Sequence, residues 1–235
     1  MLVDTDRLAV IFDFDGVLAD TERLHLTALQ QTFATRGYTL TEPDYFAHYL
    51  GYDDRGVITH FADAQGWALG AGETRAVLDD KERRYVELLT AGQVLFAGAR
   101  ACVTRLAEAF PIAIASGSLR GEIEHILAAN DLRHHFSAVV GADDVRAGKP
   151  APDGYLAAAA ALGVRPEQAL AIEDSPWGLQ SARAAGLVTI GITTSYAAGA
   201  LTEADEVITS LDDVTVELVR TWITTRSRVA SSSAD

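Results

Sequence analysis

The chain is predicted to fold as a doubly wound α/β protein, a parallel sheet with helices on both faces, carrying an inserted helical cap. Two observations predict this. Apolar runs of strand length alternate with helical segments through the second half of the chain, and a long all-helical stretch separates the first such run from the rest. Strands that alternate with helices of this length pair in parallel, and parallel strands covered on both faces read as continuous apolar runs.

The first strand is Leu8 to Asp15, apolar until it ends in acids. Thr21 to Arg36 follows with Leu24, Leu26, Ala28, Leu29 and Phe33 at helical spacing, and Gly37 ends it. From there to about Gly92 the pattern is helical, punctuated by Gly51, Gly56, Gly66, Gly70 and Gly72. Helix–strand pairs then run Ala99–Phe110 and Pro111–Ala115, Glu122–Asn130 and Ala138–Gly141, Pro152–Leu162 and Ala169–Ile172, and Pro176–Ala185 and Val188–Ile192. A short apolar piece at Glu206–Ile208 closes the series. The domain reading is a core over residues 1–18 and 93–225, a helical cap over 19–92 and a disordered tail over 226–235.

Composition narrows the function. The 235 residues carry a formal net charge of -14, which argues against nucleic acid, because such binding relies on cationic side chains displacing counterions. A small anion responds instead to the local field of a cleft. The lone Cys102 cannot form an internal disulfide and reads as a small core residue. No apolar run is long enough to span a bilayer, and the start of the chain has no signal-peptide pattern, so a cytoplasmic protein with no membrane partner is expected. A monomer is the expected state.

In doubly wound sheets ligands bind beyond the carboxyl ends of the strands. Four such ends carry polar groups. Asp13-Phe-Asp15-Gly places two carboxylates two residues apart, with Phe12 and Phe14 turned to the core, and the repulsion of paired acids is relieved by a divalent cation. Ser116-Gly117-Ser118 offers hydroxyl and backbone N–H groups to a phosphoryl oxygen. Lys149, between Gly148 and Pro150-Ala-Pro152, sits on a segment expected to be extended and rigid. Glu173-Asp174-Ser175-Pro176 sets two acids at a strand end, suited to a hard cation, although Asp174 or Ser175 serves equally as a helix cap. Each signal has a bland counterpart: acids punctuate strands, Ser and Gly mark turns, and a lone lysine is usually a solvated charge.

Taken in order, DFDGV, a strand-end Ser, KPAPD and EDS resemble the motifs of the haloacid-dehalogenase superfamily of phosphotransferases, over about Leu8 to Val207. The cap after the first strand and the Glu-Asp-Ser form of the last motif are most similar to the β-phosphoglucomutase-like phosphatases and mutases. The resemblance implies a Rossmann-like core and a Mg²⁺-dependent phosphatase. In it Asp13 is the nucleophile that becomes an aspartyl-phosphate, Asp15 the general acid and base, and Ser116, Gly117 and Ser118 the holders of the phosphoryl group. Lys149 is its counter-charge, and Asp13, Asp15 (through its carbonyl), Asp174 and Glu173 are the metal ligands or their close neighbours. It further implies that His25, Gly51, Arg55 and Lys81 of the cap face a small phosphorylated metabolite, most simply a sugar phosphate. A helical histidine with no substrate contact remains an equal reading of His25.

Asp53-Asp54 stand where the related mutases carry a phosphate-binding Arg, and Leu119 where they carry a Lys. Both departures weigh toward a phosphatase over the alternative, a phosphosugar mutase. Intact Asp13, Asp15, Lys149 and Asp174 weigh against a catalytically silent binding module.

Overall fold

The computed structural model describes residues 7–49, 52, 54–90 and 94–232. The chain divides into two compact units, Thr21–Val94 and the remainder.

The larger unit is built on six strands, β1 (Ala9–Phe12), β2 (Ile112–Ala115), β3 (Phe136–Val140), β4 (Ala169–Glu173), β5 (Val188–Ile192) and β6 (Glu206–Ile208). They pair in the order β3-β2-β1-β4-β5-β6, and every pairing is parallel. β1, β2, β4 and β5 are buried at every residue, as strands covered on both faces must be. Tyr155, Ala158 and Leu162 of one helix pack with Ile11, Ala113 and Ala171 of the sheet, an alanine-rich contact that brings helix and sheet close together. The strand order reverses between β1 and β4, and at such a switch point the flanking connections leave in opposite directions and open a crevice. Register pairs Phe12 with Ile172, so the residues after them, Asp13 and Glu173, reach that crevice side by side.

Before β2 and between the later strands come α5 (Ala99–Ala107), α6 (Arg120–Ala129), α7 (Asp153–Leu162) and α8 (Pro176–Ala184), and α9 (Val216–Ser232) follows β6. The smaller unit holds α1 (Thr21–Ala34), α2 (Glu42–His48), α3 (Asp54–Gln65) and α4 (Ala71–Thr90). Its core gathers Leu29, Phe33, Ile58, Phe61, Trp67 and Val77, with the rings of Phe33 and Phe61 stacked at 4.4 Å.

Several details differ from expectation. The first strand stops at Phe12, because after Asp13 N–H bonds to the Ile172 carbonyl the chain turns away, with both Leu18 and Ala19 N–H closing on the Phe14 carbonyl. Gly56 and Gly72 lie in the first turns of α3 and α4 and do not interrupt the helices. The tail expected to be disordered from residue 226 is helical through Ser232, as the end of α9. That helix is anchored by Val219 and Ile223, an i, i+4 pair that a run of threonines masks in the sequence. Cys102 is buried and unpaired in α5, and burial pushes its thiol up to about 11.

Candidate active site

The ends of β1, β2 and β4 and the turn before α7 that carries Lys149 converge at the crevice. The carboxylates of Asp13, Glu173 and Asp174 are all buried, with one oxygen of each within 4.8 Å of the others. Among the described residues this is the cluster whose donors suit a metal ion. Burial and the neighbouring Glu173 push the carboxyls of Asp13 and Asp174 up, the latter to about 7, so ionisation of the set calls for positive charge from outside the carboxylates. An all-oxygen, acid-rich donor set of this kind fits a hard divalent cation.

Part of that positive charge is internal. Lys149 Nζ donates to Asp13 Oδ1 at 2.6 Å and to Glu173 Oε1. Burial works against the ammonium, but the two carboxylates outweigh it and hold its pKa above the ordinary value. The segment that carries Lys149 is a turn and not the extended stretch expected: the Lys149–Pro150 bond is cis and Ala151 N–H closes on the Gly148 carbonyl. A cis proline at the third position is what defines this turn class. Ser181 of α8 then ties the Ala151 carbonyl at 2.6 Å.

Glu173 is fully buried and has both oxygens committed. Oε1 takes Lys149 and the Tyr155 hydroxyl, while Oε2 takes the N–H groups of Asp174 and Ser175 and the Ser175 hydroxyl. With its lone pairs spent on five protein donors, Glu173 acts within this structure as an anchor for Lys149 and for the start of α8. Ser175 also caps α8, accepting from Gly178 N–H at 3.1 Å, so the capping reading of this motif holds for Ser175 while Asp174 is left to the cluster.

Asp15 sits apart from the three. Its Oδ2 accepts from Ser118 Oγ at 2.6 Å and Ser116 Oγ at 3.1 Å, and Ser118 N–H returns to Ser116 Oγ at 3.0 Å. The two serines of the second strand end thereby orient the second acid of the first. A cavity of ≈ 250 Å³ lies beside Ser116, Gly117 and Lys149. A side chain on Gly117 would meet nothing within 4 Å.

The sequence reading passed over Tyr155, Ser181, Thr194, Ser195 and the two glycines that make room for the acids. A Cβ on Gly16 would lie 1.9 Å from Asp174 Oδ2, and one on Gly178 1.7 Å from Glu173 Oε1. Gly16 also has φ +78°, the left-handed region that favours glycine. Thr194 and Ser195, just past the end of β5, contact the Gly16 carbonyl and the Asp174 carboxylate. The rule that selected the other strand ends would have drawn attention to them.

In the smaller unit His25 and Lys81 come together. Lys81 Nζ lies 2.6 Å from His25 Nδ1 and 2.6 Å from Asp54 Oδ2, and both His25 and Lys81 lie against the Tyr85 ring. Lys81 is 1% exposed, so Asp54 is the charge that balances it. Arg55 is exposed and is not drawn into this group. Gly51, with Leu50 and Asp53, lies outside the described residues.

Gly178→Ala gives a direct check on this architecture. Helix propensity alone would make the alanine better by about 1 kcal/mol. The clash with Glu173 reverses the sign, because displacing that carboxylate leaves buried donors without partners at about 1–3 kcal/mol each. Thermal melting should therefore show a destabilised variant, and a gain in stability would contradict the packing described.

Residues 10–192 match the family model of the haloacid dehalogenase-like hydrolases. Protein CbbY of Rhodobacter capsulatus is 36% identical over 204 residues, covering 81% of this chain and 87% of that protein. Fructose-1-phosphate phosphatase YqaB of Escherichia coli is 33% identical, covering 78% and 95%. A crystal structure of a CbbY variant from Rhodobacter sphaeroides with xylulose-(1,5)bisphosphate superposes with a TM-score of 0.71 at 28% identity, over 88% of this chain and 96% of that one. The chain belongs to the haloacid dehalogenase-like hydrolase family, as an enzyme of its phosphatase-like subfamily.

Proposed function

We propose that the protein is a Mg²⁺-dependent phosphatase of a small sugar phosphate that works through an aspartyl-phosphate on Asp13. The observation that carries this reading is the position of Asp13 at the switch point, held by Lys149 on one oxygen and by no other described side chain on that atom. The sugar class is supported by what CbbY of R. sphaeroides binds and what YqaB is named for.

In the proposed reaction an Asp13 oxygen attacks phosphorus and the bond to the leaving oxygen breaks. Asp15 gives that oxygen its proton, and the serine pair that bonds its Oδ2 keeps the carboxyl aimed. Water then attacks the phosphoryl group, Asp15 takes back a proton, and the Asp13–phosphorus linkage opens. Splitting the displacement in two lets one acid serve as proton donor first and acceptor afterwards. Ser116, Ser118 and the backbone at Gly117 line the place for the phosphoryl oxygens, and Lys149 offsets their charge. Asp13, Asp174 and the Asp15 carbonyl would hold Mg²⁺, which when bound neutralises the approach of one anion to another. The Gly16 N–H bonds to the Ala19 carbonyl at 2.9 Å, which fixes the peptide plane of the Asp15 carbonyl.

Phosphatase is favoured over mutase by residue 54. An acid balancing Lys81 occupies the region where a mutase needs a cation for a second phosphate.

Asp13→Asn should fold normally and lose turnover, because an amide oxygen is a far poorer nucleophile. Circular dichroism together with a phosphate-release assay checks this, and substantial activity in the folded variant would remove Asp13 from its role. Activity should vanish in excess chelator and return on adding Mg²⁺. Full turnover in chelator, with no metal found in the protein, would rule the cation out.

Asp15→Asn separates leaving groups. Single-turnover formation of the phosphoenzyme should fall by about 100- to 10,000-fold for sugar phosphates, whose alkoxide needs a proton, and much less for an aryl phosphate. Equal losses would mean that Asp15 has only a structural or metal-binding part.

A further inference from the structure

In the larger unit, every residue given a part in the proposed reaction comes from the end of β1, β2 or β4 or from the turn before α7. The loop after β5 also reaches the acids. Ser195 Oγ lies beside the Asp174 carboxylate, the two meeting over Gly16 with the hydroxyl turned to the carboxylate. A hydroxyl facing a carboxylate is the donor. Its neighbour Thr194 donates from Oγ1 to the Gly16 carbonyl. Around Gly16 the three segments meet closely, since a Cβ there would lie 1.9 Å from Asp174 Oδ2 and 2.8 Å from Ser195 Oγ. In the sheet β5 is adjacent to β4 but not to β1. The two consecutive hydroxyls therefore bridge from β5 past the end of β4 to the turn after β1.

We infer that Thr194 and Ser195 are positioning residues for the divalent cation, joining the two strand ends that would supply its ligands. The inference rests on the metal reading above. A carboxylate that gives one lone pair to a fixed hydroxyl has fewer orientations open to it, so Asp174 is presented to the cation at lower entropic cost. Groups that orient a metal ligand in this way are typically worth about 10- to 100-fold in metal affinity. Thr194 acts on the other side. By holding the Gly16 carbonyl while Gly16 N–H is held by Ala19, it fixes both peptide planes that follow Asp15. Both residues are exposed, so losing either hydroxyl leaves no buried cavity. A merely architectural tether and a metal-positioning contact therefore differ in what they predict.

The test is Mn²⁺ binding to the whole metal-free protein, followed by electron paramagnetic resonance, with thermal melting in chelator alongside. Ser195→Ala should raise the Mn²⁺ Kd about 10- to 100-fold. Thr194→Ala should raise it in the same direction, and Ser195→Thr, which keeps the hydroxyl, should bind within about 3-fold of wild type, well inside that range. Melting of the metal-free variants should match wild type. If Asp174→Asn weakens Mn²⁺ and Ser195→Ala does not, the inference is overturned and the metal site stands. A loss of affinity matched by a lower melting temperature of the metal-free protein would overturn it in favour of a structural tether. If wild type binds no Mn²⁺, or Asp174→Asn binds it as wild type does, the metal reading falls and this inference with it.

Discussion

Three buried carboxylates share one crevice at the reversal of strand order, and the surroundings of the site are arranged around the repulsion between them. With an oxygen of each within 4.8 Å of the others, every charged pair costs about 3–4 kcal/mol at an effective dielectric constant of about 20. One lysine cannot offset all of that. The result is visible in Asp13 and Asp174, whose carboxyls burial and Glu173 hold above their usual range. The same crowding that would destabilise a metal-free core is what a phosphoryl-transfer site exploits. It gathers oxygen donors of the kind that a hard cation takes.

The acids are held in place by commitments made elsewhere in the unit. Glu173 spends its charge on five donors, joining Lys149, Tyr155 and the first residues of α8 into one hydrogen-bonded body. Lys149 is aimed by a turn whose Ala151 carbonyl is pinned by Ser181, so two helices and a turn determine where a single ammonium lies. Two glycines complete the arrangement by what they lack. No side chain at position 16 or 178 is compatible with the observed carboxylates. Gly16 serves twice, because its positive φ also lets the chain leave β1 sharply enough for Asp15 to face the serines of the neighbouring strand end.

The legibility of this protein from its sequence follows the range of the interactions involved. Strands buried on both faces declare themselves as apolar runs, so the alternation from Ala99 to Ile192 and the strand-end acids could be read directly. The hydrogen-bonded pairs within a motif, Ser116 with Ser118 and Ser175 with Gly178, are local and equally accessible. What could not be read depends on which strands are neighbours. Ser195 and Thr194 look like loop residues until β5 is known to lie beside β4. Gly178 looks like a tolerable weak point in a helix until Glu173 is seen where its side chain would be. Tyr155 looks like one more apolar residue of an alanine-rich helix, though its hydroxyl bonds to Glu173 at 3.0 Å. Pro150 and Pro152 suggest extension in the sequence, whereas the Ala151 N–H closes a turn on the Gly148 carbonyl across the lysine.

The smaller unit poses the same problem in sharper form, since the partners in its polar cluster come from three helices. Lys81, His25 and Asp54 lie on α4, α1 and α3, and no spacing in the sequence joins them. Adjacent residues on a helix point about 100° apart, which is why Asp54 turns to Lys81 while Arg55 stays in solvent. The identity of residue 54 therefore has consequences beyond its own charge. An acid there satisfies a lysine that is 1% exposed and would be costly to bury unpaired, and in doing so it removes that lysine as a free cation for an anionic ligand. To bind a second phosphate through Lys81, the ligand would have to displace Asp54 and leave its carboxylate unpaired.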